Sequence, residues 1–209
     1  MPMETLLLIL FVLAILTLLL SIAFRSGSKK QMPLPPFPEY WRSLLEEQSV
    51  FYQDLDQDRK PAFEKRVQAF LHQTRITGVN SNVEELDKVL IGASAIIPIF
   101  AFPDWEYVNL REVLLYPDSF NHDFEQKGAD RSILGMVGEG ALNGVMVLSQ
   151  HELRQAFLNK TSKTNTAIHE FVHLVDKTDG TVDGIPEILM QRQYILPWLQ
   201  AMQKEIKKI

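Results

Sequence analysis

The sequence predicts an α+β fold, a mainly helical domain with a small antiparallel sheet, preceded by one amino-terminal transmembrane helix. Residues 6–24 are apolar except for two hydroxyl residues. Apolar residues recur at helical spacing in several later segments, and short segments rich in branched residues have the length of strands. A chain of 209 residues has room for one ordinary domain plus such an appendage.

The amino-terminal apolar segment is expected to anchor the chain in a membrane. At about 1.5 Å per residue, residues 6–24 would reach roughly 28 Å as a helix, close to the hydrocarbon thickness of a bilayer. A cleaved signal peptide is the alternative, but the first four residues carry no Lys or Arg and no Ala-x-Ala cleavage pattern follows. Arg25, Lys29 and Lys30 lie just after the segment, which favours a single-pass anchor with the domain on the cytoplasmic side.

The chain divides into three parts by composition. Residues 1–24 form the anchor, residues 25–38 a polar and then proline-rich linker, and residues 39–209 the folded domain. A linker of this composition is expected to act as an extended spacer, and a proline-rich ligand for a partner is the alternative.

Bulk composition bounds the chemistry. The chain is 46% hydrophobic and 22% charged with a net charge of −5, as in globular proteins. It has no basic stripe, so we expect no nucleic acid partner. Because the chain has no cysteine, it has no disulfide, and any metal site must use His, Asp or Glu.

Periodicity gives the order of elements in the domain. Helices are predicted over residues 40–55, 58–73, 83–100, 150–158, 164–176 and 188–209, and strands over residues 75–78, 108–116 and 145–149. The four glycines of residues 135–144 predict a hairpin whose return strand is residues 145–149. That strand is expected at the sheet edge beside the 164–176 helix, where an extended peptide could add as one more strand.

The segment His169-Glu170-Phe171-Val172-His173 carries the pattern that indicates chemistry. Residues four apart lie one above the other on a helix, so His169 and His173 present two imidazoles to one point, as zinc requires. Glu170 is rotated by about 100° and can instead take a proton from a water bound to the metal. Asp176 is placed to accept a hydrogen bond from a ligand imidazole.

The surrounding helix supports this interpretation against the alternative of a surface helix with incidental histidines. Apolar residues at helical spacing predict a buried stripe made of Ile168, Phe171, Val172 and Val175. The candidates for the helix cap are Thr164, Asn165 and Thr166. The other histidines are isolated and are not expected to be ligands: His72, His122 and His151.

Residues 165–176, followed by Asp183-Gly184-Ile185-Pro186, resemble the Mlc titration factor A family of zinc-dependent peptidases. Residues 115–120 and 147–149 are similar to that family's strand motifs, and the resemblance covers roughly residues 40–209. It implies a zincin-like fold, His169 and His173 as zinc ligands, Glu170 as catalytic base, and an aminopeptidase-like or broader peptidase activity.

The resemblance also implies a third zinc ligand, a Glu on a later helix, and no stretch of this chain matches that motif. Asp179 lies six residues after His173, as in a HExxHxxGxxD pattern, but Asp176 stands where that turn needs Gly. Glu187 and Glu205 have no supporting motif. The third ligand is therefore unknown, and the sequence is expected to be truncated at its carboxyl end.

The predicted function is that of a membrane-anchored zinc metallopeptidase that hydrolyses a peptide or protein substrate on the cytoplasmic side. The alternative is a non-catalytic regulatory protein that keeps the fold and sequesters a partner. One branch of the resembled family binds a sugar-responsive transcription repressor, so a transcription regulator is a possible partner of this kind.

Overall fold

The computed structural model describes residues 34–103, 105–120, 135–137, 143–158 and 165–177. These residues form six α-helices, a short 3-10 helix at Ile97–Ile99 and a four-stranded sheet. The helices are α1 (Glu39–Gln48), α2 (Val50–Gln53), α3 (Lys60–Gln73), α4 (Glu85–Ile96), α5 (Gln150–Leu158) and α6 (Thr166–Asp176). The strands are β1 (Arg75–Gly78), β2 (Glu112–Tyr116), β3 (Gly135–Val137) and β4 (Val145–Ser149).

All of these elements belong to one compact unit, Pro36–Ile209. The predicted anchor, most of the linker and the predicted helix over residues 188–209 lie outside the described residues. Within the described ranges, no helix combines the length and apolar character needed to cross a bilayer.

The sheet is mixed, which corrects the prediction of an antiparallel one. Its strand order is β1-β2-β4-β3; β1, β2 and β4 are parallel, and β3 alone runs antiparallel to its neighbour β4. Helix α4 lies between β1 and β2 in the chain, and a connection that long lets the second strand return in the same direction as the first. The predicted hairpin supplies only the β3–β4 pair.

Strand β4 is internal, so the prediction that residues 145–149 form the sheet edge is wrong. It pairs with β2 on one side and β3 on the other. Met146, Val147 and Leu148 are all buried. A run of consecutive apolar residues is typical of a strand covered on both faces, whereas a solvated edge strand alternates. The edge position next to β4 belongs to β3.

The helices and strands predicted within the described ranges are present, with changes at some of their boundaries. The helix predicted over residues 40–55 is interrupted at Ser49, whose backbone is extended and whose Oγ accepts a hydrogen bond from the Tyr52 amide at 3.3 Å. The predicted strand over residues 108–116 is formed only from Glu112 onward. Ser149 caps α5, because its Oγ accepts a hydrogen bond from the Glu152 amide at 3.2 Å.

The main core lies between the helices and one face of the sheet, and a smaller cluster of Tyr116, Phe120 and Val147 covers the other face. Helix α4 is central to the main core and packs against α1, α3, α5 and α6. Gly92 permits its close approach to α3, since a Cβ there would lie 2.8 Å from Val67 Cγ1.

A buried carboxylate on α4 binds side chains of α5, and both of these helices contact α6. Asp87 is fully buried, and its oxygens accept two hydrogen bonds from Arg154, at 2.7 and 3.0 Å. Gln150 donates to it at 2.7 Å and the Glu84 amide at 2.8 Å. With these donors the buried charge is satisfied, so that α5 is held against α4 and both helices contact α6.

Candidate active site

Helix α6 carries the His-Glu motif and begins at Thr166, two residues after the predicted start. Asn165, one of the three predicted caps, accepts a hydrogen bond from the Ile168 amide at 3.1 Å. The buried face of the helix consists of Ala167, Phe171, Leu174 and Val175, together with Asp176. The cap and the apolar face together define both the start and the rotation of the helix.

The predicted buried stripe is right for Phe171 and Val175 and wrong for Val172, which is 46% exposed. Ile168 is only partly buried. The helix is rotated so that Ala167 and Leu174, rather than Val172, flank Phe171 in the core. This rotation leaves Val172 on the same open side as the histidines.

Phe171 anchors the helix in an aromatic cluster. Its ring lies 5.6 Å from that of Phe70 and 5.3 Å from that of Tyr107, measured between centroids. Tyr107 donates a hydrogen bond from its hydroxyl to the Ala95 carbonyl at 2.8 Å, and burial raises the pKa of this hydroxyl far above its usual range. A neutral, bonded tyrosine of this kind is a rigid support for the motif helix.

The two motif imidazoles converge, as helical spacing predicts. The Nε2 atoms of His169 and His173 are 2.9 Å apart, and the rings stand nearly perpendicular with centroids 4.4 Å apart. Two nitrogens bound tetrahedrally to one zinc at 2.0–2.1 Å would lie about 3.3 Å apart. A small outward movement of either ring therefore satisfies a metal, and imidazole is a donor that zinc favours.

The described residues supply only these two donors. Within the described ranges, no group of three His, Cys, Asp or Glu side chains is close enough to hold a metal ion. Asp179, Glu187 and Glu205 lie outside those ranges. His72 and His151 are exposed on α3 and α5, away from α6 in the chain, and His122 is outside the described residues.

Glu170 lies beside the histidine pair and is partly buried. Burial raises the pKa of its carboxyl group, and the nearby His169, His173 and Lys177 counteract the rise without cancelling it. A carboxylate with a raised pKa is a stronger base than an exposed one. The position therefore suits proton transfer more than surface solvation.

Asp176 is 4% exposed at the carboxyl end of α6, three residues after His173. Its side chain is thus inside the protein, as expected for a carboxylate that accepts a hydrogen bond from a ligand imidazole. The hydrogen bond from a ligand imidazole to Asp176 stays a prediction.

Strand β3 occupies the edge position beside the motif helix that the sequence analysis assigns to residues 145–149. It packs against α6, and Gly135 lies so close to the motif that a Cβ there would be 2.8 Å from Glu170 Cγ. The glycine-rich stretch before β4 has the composition of a turn, although its first residues form the edge strand. The consecutive apolar residues of β4 indicate that both of its faces are covered, but they do not indicate which strands pair with it.

Comparison with known proteins agrees with the motif. A family model described as glucose-regulated metallo-peptidase M90 matches residues 24–209. Uncharacterized protein slr2042 of Synechocystis sp. is 26% identical over an alignment of 175 residues that covers 79% of this chain and 62% of that relative. The chain thus spans less than two thirds of that relative's length. By the match to residues 24–209, the chain belongs to the glucose-regulated metallo-peptidase M90 family, that of Mlc titration factor A, which confirms the resemblance drawn from the His-Glu helix.

Proposed function

We propose that the protein is a membrane-anchored, zinc-dependent metallopeptidase. The observation that carries this proposal is the convergence of the His169 and His173 Nε2 atoms, 2.9 Å apart on an ordered helix, with Glu170 beside them. His169 and His173 would hold the zinc with a third ligand from outside the described residues. When bound, zinc supplies Lewis acidity toward water and the scissile carbonyl.

The proton transfers are assigned to Glu170. Its carboxylate accepts a proton from the attacking water and then returns it to the nitrogen of the leaving amine. Partial burial favours the acceptance of this proton, because desolvation disfavours the charged carboxylate. The arrangement of α6 directs this group to the same side as the imidazoles.

The substrate is proposed to bind as an extended peptide along β3. This strand is at the sheet edge in the described structure and packs against α6, so a chain added there would run past Glu170. Main-chain hydrogen bonds to an edge strand supply affinity with little dependence on side chains. Strand β3 takes the role that the sequence assigned to residues 145–149.

Zinc content and peptide hydrolysis, measured on the same preparations, test the proposal. His169→Ala and His173→Ala should each lose zinc and activity. Glu170→Gln should keep zinc and lose about 10²–10⁴-fold in kcat, because it removes only the proton transfer. His72→Ala is the matched control: this histidine is exposed at the end of α3, and its loss should change neither quantity.

Two results would contradict the proposal. Zinc retained in both histidine variants would remove the ligand assignment. A wild-type protein that holds one zinc but cleaves no member of a mixed peptide library would favour the alternative, a regulatory protein that sequesters a partner such as a transcription regulator.

A further inference from the structure

We propose that Gly135 is a positioning residue for Glu170: its missing side chain lets β3 lie against the motif helix and so determines where the Glu170 carboxylate stands. The inference rests on the proposed function in assigning Glu170 as the base. It adds a residue from a different element, more than thirty positions upstream in the sequence, to the determinants of the site.

There is too little room around Gly135 for a side chain. A Cβ on this residue would lie 2.8 Å from Glu170 Cγ, 3.0 Å from Thr166 Cγ2 and 3.2 Å from Leu148 Cδ2. Carbon atoms in van der Waals contact are about 3.5–4.0 Å apart. Even the smallest substitution must therefore displace at least one of these three neighbours.

The backbone conformation of Gly135 does not explain the glycine. Among the described glycines only Gly144 has a positive φ, 83°, the region where other residues are strained. Gly135 sits in a regular strand paired with Leu148 of β4. Residue 135 is therefore a glycine because there is no room for a side chain beside α6, and not because of its φ.

Of the three neighbours, Glu170 has the most freedom to move. Leu148 is 1% exposed in the core, and Thr166 is β-branched and stiff at χ1. Helix α6 is held by the buried ring of Phe171. The Glu170 side chain can yield by rotating about χ1, and because Cγ carries the rest of the side chain, this rotation moves the carboxylate away from its place beside the histidines.

Gly135→Ala is the direct test. We expect kcat to fall by about 100-fold, the order of loss that a 1 Å misplacement of a catalytic group causes, while KM changes by less than about 3-fold. Zinc content should be unchanged, since the imidazoles are not touched. Gly92→Ala is the matched control: a Cβ there would be equally crowded, 2.8 Å from Val67 Cγ1, but it faces α3 rather than Glu170, so kcat should be unchanged.

A second substitution distinguishes positioning from damage to the strand. Thr166→Ser removes the methyl group that would lie 3.0 Å from a Cβ at residue 135 and leaves the other contacts. In Gly135→Ala/Thr166→Ser the new methyl can move toward residue 166, so kcat should recover by about 10-fold, a coupling that independent sites would not show. Thr166→Ser alone should resemble the wild type.

Crystal structures of metal-free wild type and Gly135→Ala separate this inference from the proposed function, because they need no turnover. Displacement of Glu170 Cγ with β3 in place supports the inference even if no peptide is cleaved. A Glu170 that stays while β3 shifts away overturns it. The same conclusion follows if kcat per bound zinc in Gly135→Ala equals that of the wild type, or if Gly92→Ala lowers kcat as much as Gly135→Ala does.

Discussion

The ring of Phe171 packs on that of Tyr107 with centroids 5.3 Å apart, inside the main core. This contact joins the middle of the motif helix to the segment that leads into β2. Phe171 lies between Glu170 and His173 in the sequence, so the residue that fixes the helix is embedded in the residues that carry the proposed chemistry. The rotation of α6, and with it the direction of both imidazoles, depends on this aromatic anchor.

Removal of the Phe171 ring should therefore destabilise the folded protein strongly. Phe171 is fully buried, and Phe171→Ala should lower the free energy of unfolding by about 3–5 kcal/mol, the range for phenylalanine in a core. Val172→Ala, next in the chain, should change it by less than about 0.5 kcal/mol because Val172 is 46% exposed. Urea denaturation of both variants measures the difference. Equal losses would show that Val172 is in the core, as the sequence pattern predicts.

The motif helix could be predicted almost completely from the sequence, because its signals are local. Asn165 at the cap and the four-residue spacing of His169 and His173 depend only on helical geometry. The exposure of Val172 could not be predicted, since apolar residues occupy three sides of this helix and only the packing of Phe171 against Phe70 and Tyr107 selects the rotation.

Strand pairing was harder to predict because it depends on contacts distant in sequence. The existence of β1 and β4 followed from local composition. Their parallel pairing with β2 did not, because it depends on connections that run through α4 and through residues 117–144. The edge position of β3 was missed for the same reason: three residues in a glycine-rich stretch give no local strand signal.

A partly buried ion pair joins α1 to α3 at a distance from the motif. Arg42 donates two parallel hydrogen bonds to Glu64, at 2.8 and 2.9 Å, and the Tyr52 hydroxyl donates a third at 2.5 Å. Burial alone would raise the pKa of Glu64, but the hydrogen bonds from Arg42 and Tyr52 outweigh it and lower the pKa below its usual value. The ionised form is thus stabilised in the folded protein.

The stability that this pair contributes should depend on pH in a defined direction. It is present above the unfolded-state pKa of about 4.3 and is lost as the pH falls through the lower folded-state value. Arg42→Ala should cost about 2 kcal/mol at pH 7, less than a fully buried pair because the Arg42 side chain is 37% exposed. In thermal unfolding measured from pH 7 to pH 3, the difference in Tm between variant and wild type should decrease below about pH 4.3. A difference in Tm that does not change with pH would contradict the stabilising role of ionised Glu64.

The apolar run of residues 6–24 predicts that the protein is retained in membranes. After expression, alkaline carbonate extraction should leave the full chain in the membrane pellet, because a helix of that length is held by the hydrocarbon core rather than by charge. A variant that begins at residue 25 is the control and should be released. Release of the full chain, or a mature amino terminus beyond residue 24, would contradict the anchor.

A third zinc ligand is expected from a carboxylate outside the described residues. Catalytic zinc sites normally use three protein ligands, and the described part of α6 supplies His169 and His173. Asp179, Glu187 and Glu205 are the candidates that the sequence offers. Each should be replaced by Ala in turn, with zinc per chain measured by mass spectrometry under native conditions and by competition with a chelator. Loss of a ligand weakens the site by orders of magnitude, whereas loss of an outer-shell partner costs about 10–100-fold in affinity. If one variant loses zinc, the residue replaced in it is the third ligand. If all three variants keep zinc, a residue other than these three completes the site.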